Sequence, residues 1–299
     1  MTVNILQFGT TGQLAREVLG QAKDFDVRIT ALSRAEADFS DPPSVIAALA
    51  GTNADLVVIA AAYTAVDRAE SECDLAQAVN ATSPGVIAAA LGPYGPALVH
   101  VSTDYVFDGE KGAPYLETDA TSPLSVYGAS KLAGERAIEA ARARALILRT
   151  SWVVSSHGKN FVKTMLGMAR DGVALKVVDD QFGRPTAARD IARFILSQAG
   201  RLAAAPADDA VFGVYHFANS GEVTWKGFAE TIFDLALGPE APKIAASSAA
   251  DWPTPARRPM RGTLDTTKLE RTFGVTLRSW REPLAEILAE LQTADRVAT

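Results

Sequence analysis

Short apolar runs alternate with longer amphipathic stretches along the first half of the chain. The runs at 3–8, 26–32, 55–60, 98–103 and 145–150 have the length of buried strands, and near-continuous apolar strands are typical of parallel sheets. The segments between the runs carry helix-forming residues, as the crossovers between parallel strands require. The alternation therefore predicts an α/β fold built on a doubly wound parallel sheet.

The pattern becomes less regular in the second half of the chain. It predicts a helix over 161–169, a strand over 213–219 and helical periodicity over 269–291. The Ala- and Ser-rich run 245–250 instead predicts a mobile loop. These segments are consistent with a second, smaller unit of mixed helices and strands.

Length and composition bound the organisation of the domains. A chain of 299 residues with 48% hydrophobic residues buries a sizeable core, but it is short for two full domains. We expect residues 1–150 to form a Rossmann-type domain that binds NAD(P). Residues 151–299 would form mainly a smaller C-terminal α/β substrate lobe, with some segments returning to the first domain.

A glycine-containing turn follows the first apolar run. Gly9 and Gly12 precede a helix that begins with Gln13 and Leu14, and glycines at such a turn let the backbone approach a pyrophosphate at the helix N-terminus. The pattern is Gly-x-x-Gly-x-x-Ala rather than the fuller fingerprint, so a turn that binds nothing remains open on this evidence. Together with the strand pattern, the turn predicts a dinucleotide site.

The ends of the next two strands carry the candidate contacts for the rest of the dinucleotide. Arg34 follows the second strand, where an arginine can accept a 2′-phosphate, so NADPH is favoured and NADH remains possible. Arg34 could equally be a solvated surface cation. Asp38 and Phe39 are placed to meet an adenine, although the same stretch also reads as a helix start. Small residues near Ala62 suit close passage of the ribose and nicotinamide.

Tyr127 and Lys131 form the candidate catalytic pair. They are four residues apart in a segment of helix formers, so they lie on one helical face. An ammonium beside a phenol stabilises the phenolate, lowers the pKa of the tyrosine and allows proton exchange with a carbonyl oxygen. A hydroxyl at the end of the preceding strand, Thr103 or Ser102, would bond the same oxygen.

Charge and composition narrow the classes of partner. The net charge of −6 argues against a nucleic acid or an anionic membrane as partner. Cys73 is the only cysteine, and no apolar run is long enough to span a bilayer, so we expect a cytoplasmic protein. His100, His157 and His216 are dispersed, which predicts no catalytic metal. Arg258, in a proline-flanked basic loop, suits contact with a phosphate, although a solvated loop remains open.

Six segments taken together make the chain similar to a known family. They are 60–70, 101–109, 149–152, 158–162, 180–186 and 253–259. In these segments the chain resembles the dTDP-4-dehydrorhamnose reductases, which are extended short-chain dehydrogenase/reductases. The resemblance implies an NAD(P)H-dependent reduction of the 4-keto group of a dTDP-sugar.

The resemblance also implies roles for individual residues. Gly12, Gln13 and Leu14 would line the pyrophosphate, Asp38 and Phe39 the adenine, and Ala62, Tyr63 and Thr64 the ribose and nicotinamide. Tyr127 and Lys131 would be the catalytic pair, Thr103 and Asp104 would lie against the sugar, and Trp152 would contact the substrate.

The chain departs from the family pattern at two places. Ala15 stands where a glycine is usual, which should not prevent cofactor binding. Some relatives dimerise around Mg²⁺ held by three glutamates. Glu17 and Glu290 match two of these positions, but Arg189 occupies the third. A cation there is hostile to a metal ion, so Mg²⁺ is doubtful, while a homodimer without it remains open.

Two other functions remain open. A related nucleotide-sugar epimerase or dehydratase would use the same scaffold, but a dehydratase needs an adjacent acidic pair that Thr103-Asp104-Tyr105 does not provide. A non-catalytic NADP-binding regulatory subunit would share much of the pattern, yet it has no need for the Tyr127 and Lys131 pair. Reduction is therefore the leading hypothesis.

Overall fold

A computed structural model describes residues 2–172 and 174–298. Its strands, in chain order, are β1 (Val3–Phe8), β2 (Val27–Leu32), β3 (Leu56–Ile59), β4 (Ala97–Thr103), β5 (Ala145–Thr150), β6 (Val153–Val154), β7 (Leu175–Val178), β8 (Phe182–Gly183), β9 (Thr186–Ala187), β10 (Gly213–His216), β11 (Val223–Thr224) and β12 (Ile244–Ser247). Its helices are α1 (Gln13–Gln21), α2 (Pro42–Leu49), α3 (Val66–Ala69), α4 (Cys73–Gln77), α5 (Ser83–Leu91), α6 (Val126–Ala140), α7 (Phe161–Arg170), α8 (Ala188–Ala204), α9 (Trp225–Leu237), α10 (Thr267–Phe273) and α11 (Arg281–Ala298).

A six-stranded sheet with the order β10-β5-β4-β3-β1-β2 organises the fold. All of its pairings are parallel, which confirms the predicted α/β class with a doubly wound sheet. The chain passes from β1 to β2 on one side and then to β3 on the other, so the order reverses at β1. In open α/β sheets, ligands bind at such a switch point, outside the carboxyl ends of the strands.

Helices cover both faces of this sheet because alternate strand residues point to opposite sides. Within β3, Leu56 and Val58 join the apolar cluster under α1 and α8, whereas Val57 and Ile59 join the cluster under α2, α5 and α6. All four side chains are buried, which is why this strand reads as an uninterrupted apolar run.

Residues beyond 150 contribute to two separate cores. Strand β10 extends the main sheet, and α8 packs on one of its faces. A further apolar cluster joins α7, α9, α11, β7 and β12, with Phe228 and Trp280 almost fully buried in it. The division of the chain into domains at residue 150 stays a prediction.

Two of the predicted local structures are wrong. The run 245–250 is not a mobile loop, because β12 pairs in parallel with β7, with Ile244 opposite Leu175. The helical periodicity over 269–291 is interrupted, because Gly274 takes the left-handed conformation that ends α10 and α11 begins only at Arg281. In the described residues, no helix combines the length and apolarity needed to cross a bilayer.

A buried ion pair fixes α6 against the central sheet. The guanidinium of Arg149, on β5, donates to both carboxylate oxygens of Glu135, on α6, with Nη2 at 2.6 Å from Oε2. The two side chains are only 5% and 2% exposed. The guanidinium also lies over the ring of Phe107, 5.1 Å from its centroid. The pair therefore holds the helix that carries the candidate catalytic residues.

Replacing Glu135 by Gln should strongly destabilise the fold, because it leaves the buried Arg149 charge without its counter-ion. We expect the free energy of unfolding, measured by urea denaturation, to fall by about 3–5 kcal/mol. The matched control is Glu230→Gln, which breaks the exposed pair with Lys226 and should cost less than about 1 kcal/mol. Equal losses in the two variants would contradict the assigned role of the buried pair.

Candidate active site

The carboxyl end of β4 and the first turns of α6 bring the candidate catalytic residues together. Thr103 is the last residue of β4, and α6 begins at Val126 after Ser125, whose hydroxyl accepts a hydrogen bond from the Gly128 N–H. The Lys131 ammonium reaches back to the strand and donates to the Val101 carbonyl at 2.6 Å. Strand and helix thus set the positions of Thr103 and Lys131.

The Thr103 hydroxyl is the centre of a small hydrogen-bond network. It donates to Asp104 Oδ1 at 3.0 Å and accepts from the Tyr105 N–H at 3.2 Å, and it acts to lower the pKa of the Tyr127 phenol. Asp104 is only 2% exposed, and burial raises the pKa of its carboxyl to about 7, against the opposing effect of the bond from Thr103. The neighbouring Ser102 hydroxyl is buried and has no hydrogen-bond partner among the described residues.

The expectation that Lys131 lowers the pKa of Tyr127 is wrong for this arrangement. Burial raises the pKa of Tyr127 to about 12, and the hydrogen bond with Thr103 opposes this only in part. The ammonium is directed onto β4 instead of being hydrogen-bonded to the phenol. Burial also lowers the pKa of Lys131 to about 8, although the charge of Glu135 acts in the opposite direction.

A cavity of about 640 Å³ lies at the switch point of the sheet. Among the residues predicted to bind the cofactor, Gly9, Gly12, Arg34, Asp38, Phe39, Ala62 and Tyr63 line it, whereas Gln13, Leu14, Thr64, Tyr127 and Lys131 do not.

Gln13 and Leu14 have other roles for their side chains. Leu14 packs into the core under the sheet. The Gln13 amide donates to the Val153 carbonyl at 3.2 Å, and its oxygen accepts from Ser155 and Asn160. Their side chains are therefore not available to a pyrophosphate, which these two residues would bind through their backbone N–H groups. These N–H groups lie in the first turn of α1 and have no acceptor within the helix.

The adenosine end of the cavity carries paired charges. Arg34 Nε lies 3.3 Å from Asp38 Oδ2, and the other Asp38 oxygen accepts from the backbone and hydroxyl of Ser40. Phe39 is largely buried and packs edge-on against Phe8, so only part of its ring is available to a ligand. The exposed Arg34 side chain remains the cation closest to the end of β2.

Asn80 is a structural residue of the site that we did not predict. Its amide accepts from the Tyr63 N–H at 2.9 Å, donates to the Tyr63 carbonyl, and donates to the Ser130 hydroxyl on α6 at 3.0 Å. It lies in a π-helical turn over 78–82, a distortion that is frequent at functional sites. A polar residue between alanines and valines was the only sequence signal for this role.

A second cavity, of about 620 Å³, lies beside the basic loop. Its lining combines apolar and cationic side chains, including Phe161, Met165, Trp225, Trp252, Arg257 and Arg258. The Arg258 guanidinium is already engaged, because it pairs with both carboxylate oxygens of Asp67 at 3.0 and 2.8 Å and is hydrogen-bonded to Tyr105. Tyr105 in turn packs edge-on against the Tyr127 ring, with centroids 5.5 Å apart. Tyr105 therefore lies between this cavity and the candidate catalytic tyrosine.

Trp152 is held in a strained conformation. Its backbone has a φ of 44°, in the left-handed region that bulky residues rarely adopt. The indole stacks on Trp225 at a centroid distance of 3.5 Å. Its other neighbour is Gly183, where an added Cβ would lie 2.4 Å from the Trp152 ring. The ring is therefore fixed on two sides.

One surface pocket is lined by all three positions at which some relatives hold Mg²⁺, namely Glu17, Arg189 and Glu290. Arg189 pairs with Glu290 and with Glu286, the latter at 3.0 Å. Burial raises the pKa of Glu17, while the Arg189 charge acts to lower it. No group of three or more His, Cys, Asp or Glu side chains able to hold a metal ion occurs in the part of the chain that the structure describes.

Comparison with known proteins decides the family. The profile of the family described as "RmlD substrate binding domain" matches residues 3–293. The dTDP-4-dehydrorhamnose reductase of Escherichia coli K12 is 43% identical, over 99% of this chain and 100% of its own length. The chain belongs to the dTDP-4-dehydrorhamnose reductase family.

Solved structures of the family agree with the fold. A dTDP-4-dehydrorhamnose reductase from Clostridium acetobutylicum superposes with a TM-score of 0.89 at 36% identity, covering 97% of this chain and 99% of that one. The reductase from Bacillus anthracis, solved in complex with NADP, also gives a TM-score of 0.89, at 30% identity over 97% of this chain and 100% of that one. These similarities confirm the predicted family and fold class.

The residues at the switch point are chemically suited to the dinucleotide of this family. Gly9 has a φ of 101° and lies against the Ala60–Ala61 backbone, so the turn brings backbone rather than side chains to the cavity. The N–H groups at the start of α1 and the cation of Arg34 provide donors and positive charge for phosphates. The small side chains of Ala61 and Ala62 leave the middle of the cavity open.

Replacing Gly183 by Ala should displace Trp152, because the stack on Trp225 leaves the indole no free side to move to. If Trp152 contacts the substrate, we expect kcat/KM for the sugar nucleotide to fall roughly ten- to a hundredfold. The dissociation constant of the cofactor should not change. The control Gly167→Ala, on α7, introduces a Cβ with nothing within 4 Å and should leave both parameters unchanged. Wild-type kinetics in the Gly183 variant would remove Trp152 from the substrate site.

Proposed function

We propose that this chain reduces the 4-keto group of dTDP-4-dehydro-L-rhamnose to give dTDP-L-rhamnose, the last step of dTDP-rhamnose biosynthesis. The observation that carries the proposal is the packing of Lys131 against β4 and of Tyr127 against Tyr105, just after Thr103 at the end of that strand, in a chain that matches this reductase family over nearly its full length. A regulatory subunit that only binds NADP would have no use for this cluster.

Tyr127 acts as the proton donor to O4 of the sugar. A pKa of about 12 keeps the phenol protonated at neutral pH, which is the form that a reduction needs. NADPH, when bound, supplies the hydride that adds to C4. The O–H bond of Tyr127 breaks as the new O4–H bond forms, so the product is an alcohol and the enzyme is left with a phenolate.

Thr103 and Lys131 support this proton transfer. The single O–H of Thr103, which donates to Asp104 in this structure, turns to the substrate oxygen when the sugar binds and so polarises the carbonyl. The buried Lys131 ammonium stabilises the phenolate and holds the nicotinamide ribose. Both residues are fixed by β4 and α6 before any ligand binds, which reduces the entropy lost on reaching the transition state.

The cofactor occupies the cavity at the switch point. Gly9 and Gly12 allow the backbone approach, the N–H groups of Gln13 and Leu14 bind the pyrophosphate, and Asp38 and Phe39 meet the adenine. The Arg34 guanidinium binds the 2′-phosphate as a hydrogen-bond donor. NADPH is therefore the preferred cofactor, in line with the NADP complex of the Bacillus anthracis relative. NADH remains usable, because Arg34 is exposed and already paired with Asp38.

The sugar nucleotide occupies the second cavity. Asp104 and Trp152 do not line this cavity, so the sugar extends beyond it to contact them, while the aromatic and methionine side chains of the cavity pack against the base. Arg258 and the neighbouring Arg257 attract the diphosphate, with Arg258 oriented by its pair with Asp67. Ala62, Tyr63 and Thr64 lie between this substrate and the nicotinamide side.

We further propose a cytoplasmic enzyme that does not act on nucleic acid, with a homodimer as an open possibility. The net charge of −6 argues against a nucleic acid as partner. The ion pairs of Arg189 with Glu286 and Glu290 argue against an assembly that depends on Mg²⁺.

The proposal is tested by following the absorbance of NADPH, and separately of NADH, while an epimerase generates the 4-keto sugar nucleotide. We expect cofactor oxidation that stops when the epimerase is omitted, with NADPH the better donor. Binding of the cofactor without oxidation in the complete mixture would favour the regulatory subunit instead.

Replacing Tyr127 by Phe should remove the proton donor without disturbing the cofactor cavity. We expect kcat in this assay to fall by about 10²–10⁴-fold, whereas the dissociation constant of NADPH should change little. A wild-type rate in this variant would assign the proton to another group.

The activity should fall at high pH as Lys131 loses its charge. The ammonium form is present below a pKa of about 8 and disappears as the pH rises through that value, so kcat/KM for the cofactor should fall about tenfold per pH unit above it. Lys131→Arg, whose guanidinium does not deprotonate in this range, should be slower but lack this decline. A wild-type profile that stays flat to pH 10 would contradict the role of the ammonium.

A further inference from the structure

The Lys131 ammonium has two neighbours on β4. It donates to the Val101 carbonyl at 2.6 Å, and its Nζ lies 3.2 Å from Nε2 of His100. An ammonium has three N–H donors and no acceptor, so the imidazole nitrogen must be the acceptor in this contact. His100 was expected to be an ordinary core histidine, and the mechanism above makes no use of it.

The burial of His100 fixes its tautomer. The side chain is only 1% exposed, and burial, reinforced by the Lys131 charge, holds the pKa of its imidazole well below the usual value. The ring is therefore neutral, and because Nε2 accepts from Lys131, the proton must lie on Nδ1. Nδ1 is buried and has no hydrogen-bond partner among the described residues.

A buried histidine whose Nδ1 has no hydrogen-bond partner among the described residues lowers the stability of a central strand. An apolar side chain in its place would fill the core without leaving a polar group unsatisfied. The stability of the core therefore does not explain a histidine at position 100. The explanation lies with Nε2, the ring nitrogen that forms a hydrogen bond. Among the described residues, the hydrogen-bond partner of that nitrogen is the ammonium of the candidate catalytic lysine.

In the part of the chain that the structure describes, no carboxylate forms an ion pair with the ammonium. Glu135 is the acid whose charge acts on Lys131, but its oxygens accept three hydrogen bonds from Arg149. Two neutral acceptors, His100 and Val101, thus hold two of the three N–H groups. One N–H remains for the reaction.

We propose that His100 is a positioning residue for Lys131: its Nε2 takes one N–H of the ammonium and so keeps the remaining N–H available to the nicotinamide ribose, while the charge of the ammonium stabilises the Tyr127 phenolate. The inference rests on the proposed reductase function. Without the imidazole, the ammonium has one fixed partner on the strand instead of two, and more of its freedom must be lost when the cofactor binds.

The first test compares two replacements of similar size. His100→Leu removes the acceptor, whereas the amide oxygen of His100→Gln can still accept from the ammonium. We expect His100→Leu to raise the dissociation constant of NADPH, measured by titration calorimetry, and to lower kcat, each by roughly tenfold. His100→Gln should stay within about threefold of the wild type in both. Thermal denaturation of each variant shows whether it is folded.

The second test observes the imidazole directly and needs no substrate. The chain has three histidines, so their ring nitrogens can be followed individually in spectra of ¹⁵N-labelled protein. We expect His100 to be the neutral Nδ1–H form and its Nε2 resonance to shift in Lys131→Met. His216 is the internal control, since its Nδ1 faces the Tyr115 and Asp265 carbonyls and its resonances should not move.

Three results would overturn the proposal. The first is a His100→Leu variant with wild-type affinity for NADPH and wild-type kcat. The second is a His100→Gln variant that is as impaired as His100→Leu. The third is a His100 Nε2 resonance whose position does not change in Lys131→Met. Failure of the wild-type enzyme to oxidise NADPH would instead defeat the proposed function, while the nitrogen spectra would still report on the contact between His100 and Lys131.

Discussion

The close approach of α6 to the chain segments that precede it is the constraint on which the site depends. A Cβ at Gly128 would lie 2.2 Å from the Tyr105 carbonyl oxygen, and a Cβ at Gly134 would lie 2.1 Å from that of Asn80. Only glycine permits such contacts, so α6 lies directly against both segments. This proximity brings Tyr127 next to Thr103 and lets Lys131 reach the strand. The buried pair of Glu135 with Arg149 then holds the helix in place.

Burial, rather than attraction between the two residues, sets the electrostatics of the pair. Tyr127 keeps its proton because burial disfavours the phenolate. The same desolvation disfavours the ammonium form of Lys131 and so lowers its pKa. A tyrosine of high pKa suits a reductase, since it must deliver a proton rather than take one. In the proposed mechanism, the ammonium matters most after that transfer, when the phenolate carries a negative charge.

Much of the fold was readable from the sequence because it is encoded locally. The strand at 145–150 and the placement of Tyr127 and Lys131 in one helix were predicted correctly, since apolar runs and helical spacing are properties of neighbouring residues. What was missed depends on partners far along the chain. Residues 245–247 form part of a strand because β7 lies beside them, and Arg258 is paired with Asp67, 191 residues away. Likewise, the pKa of Tyr127 depends on how deeply α6 is buried, which helical spacing does not reveal.

The most direct test of the account is to follow the hydride. The enzyme is given NADPH deuterated at C4 on the transferred face and the 4-keto sugar nucleotide, and the product is examined by NMR. The account predicts one deuterium on C4 of the product sugar, with one cofactor oxidised for each sugar reduced. Deuterium at another carbon, or a changed sugar with no net oxidation of the cofactor, would contradict it and indicate an epimerase or a dehydratase on the same scaffold.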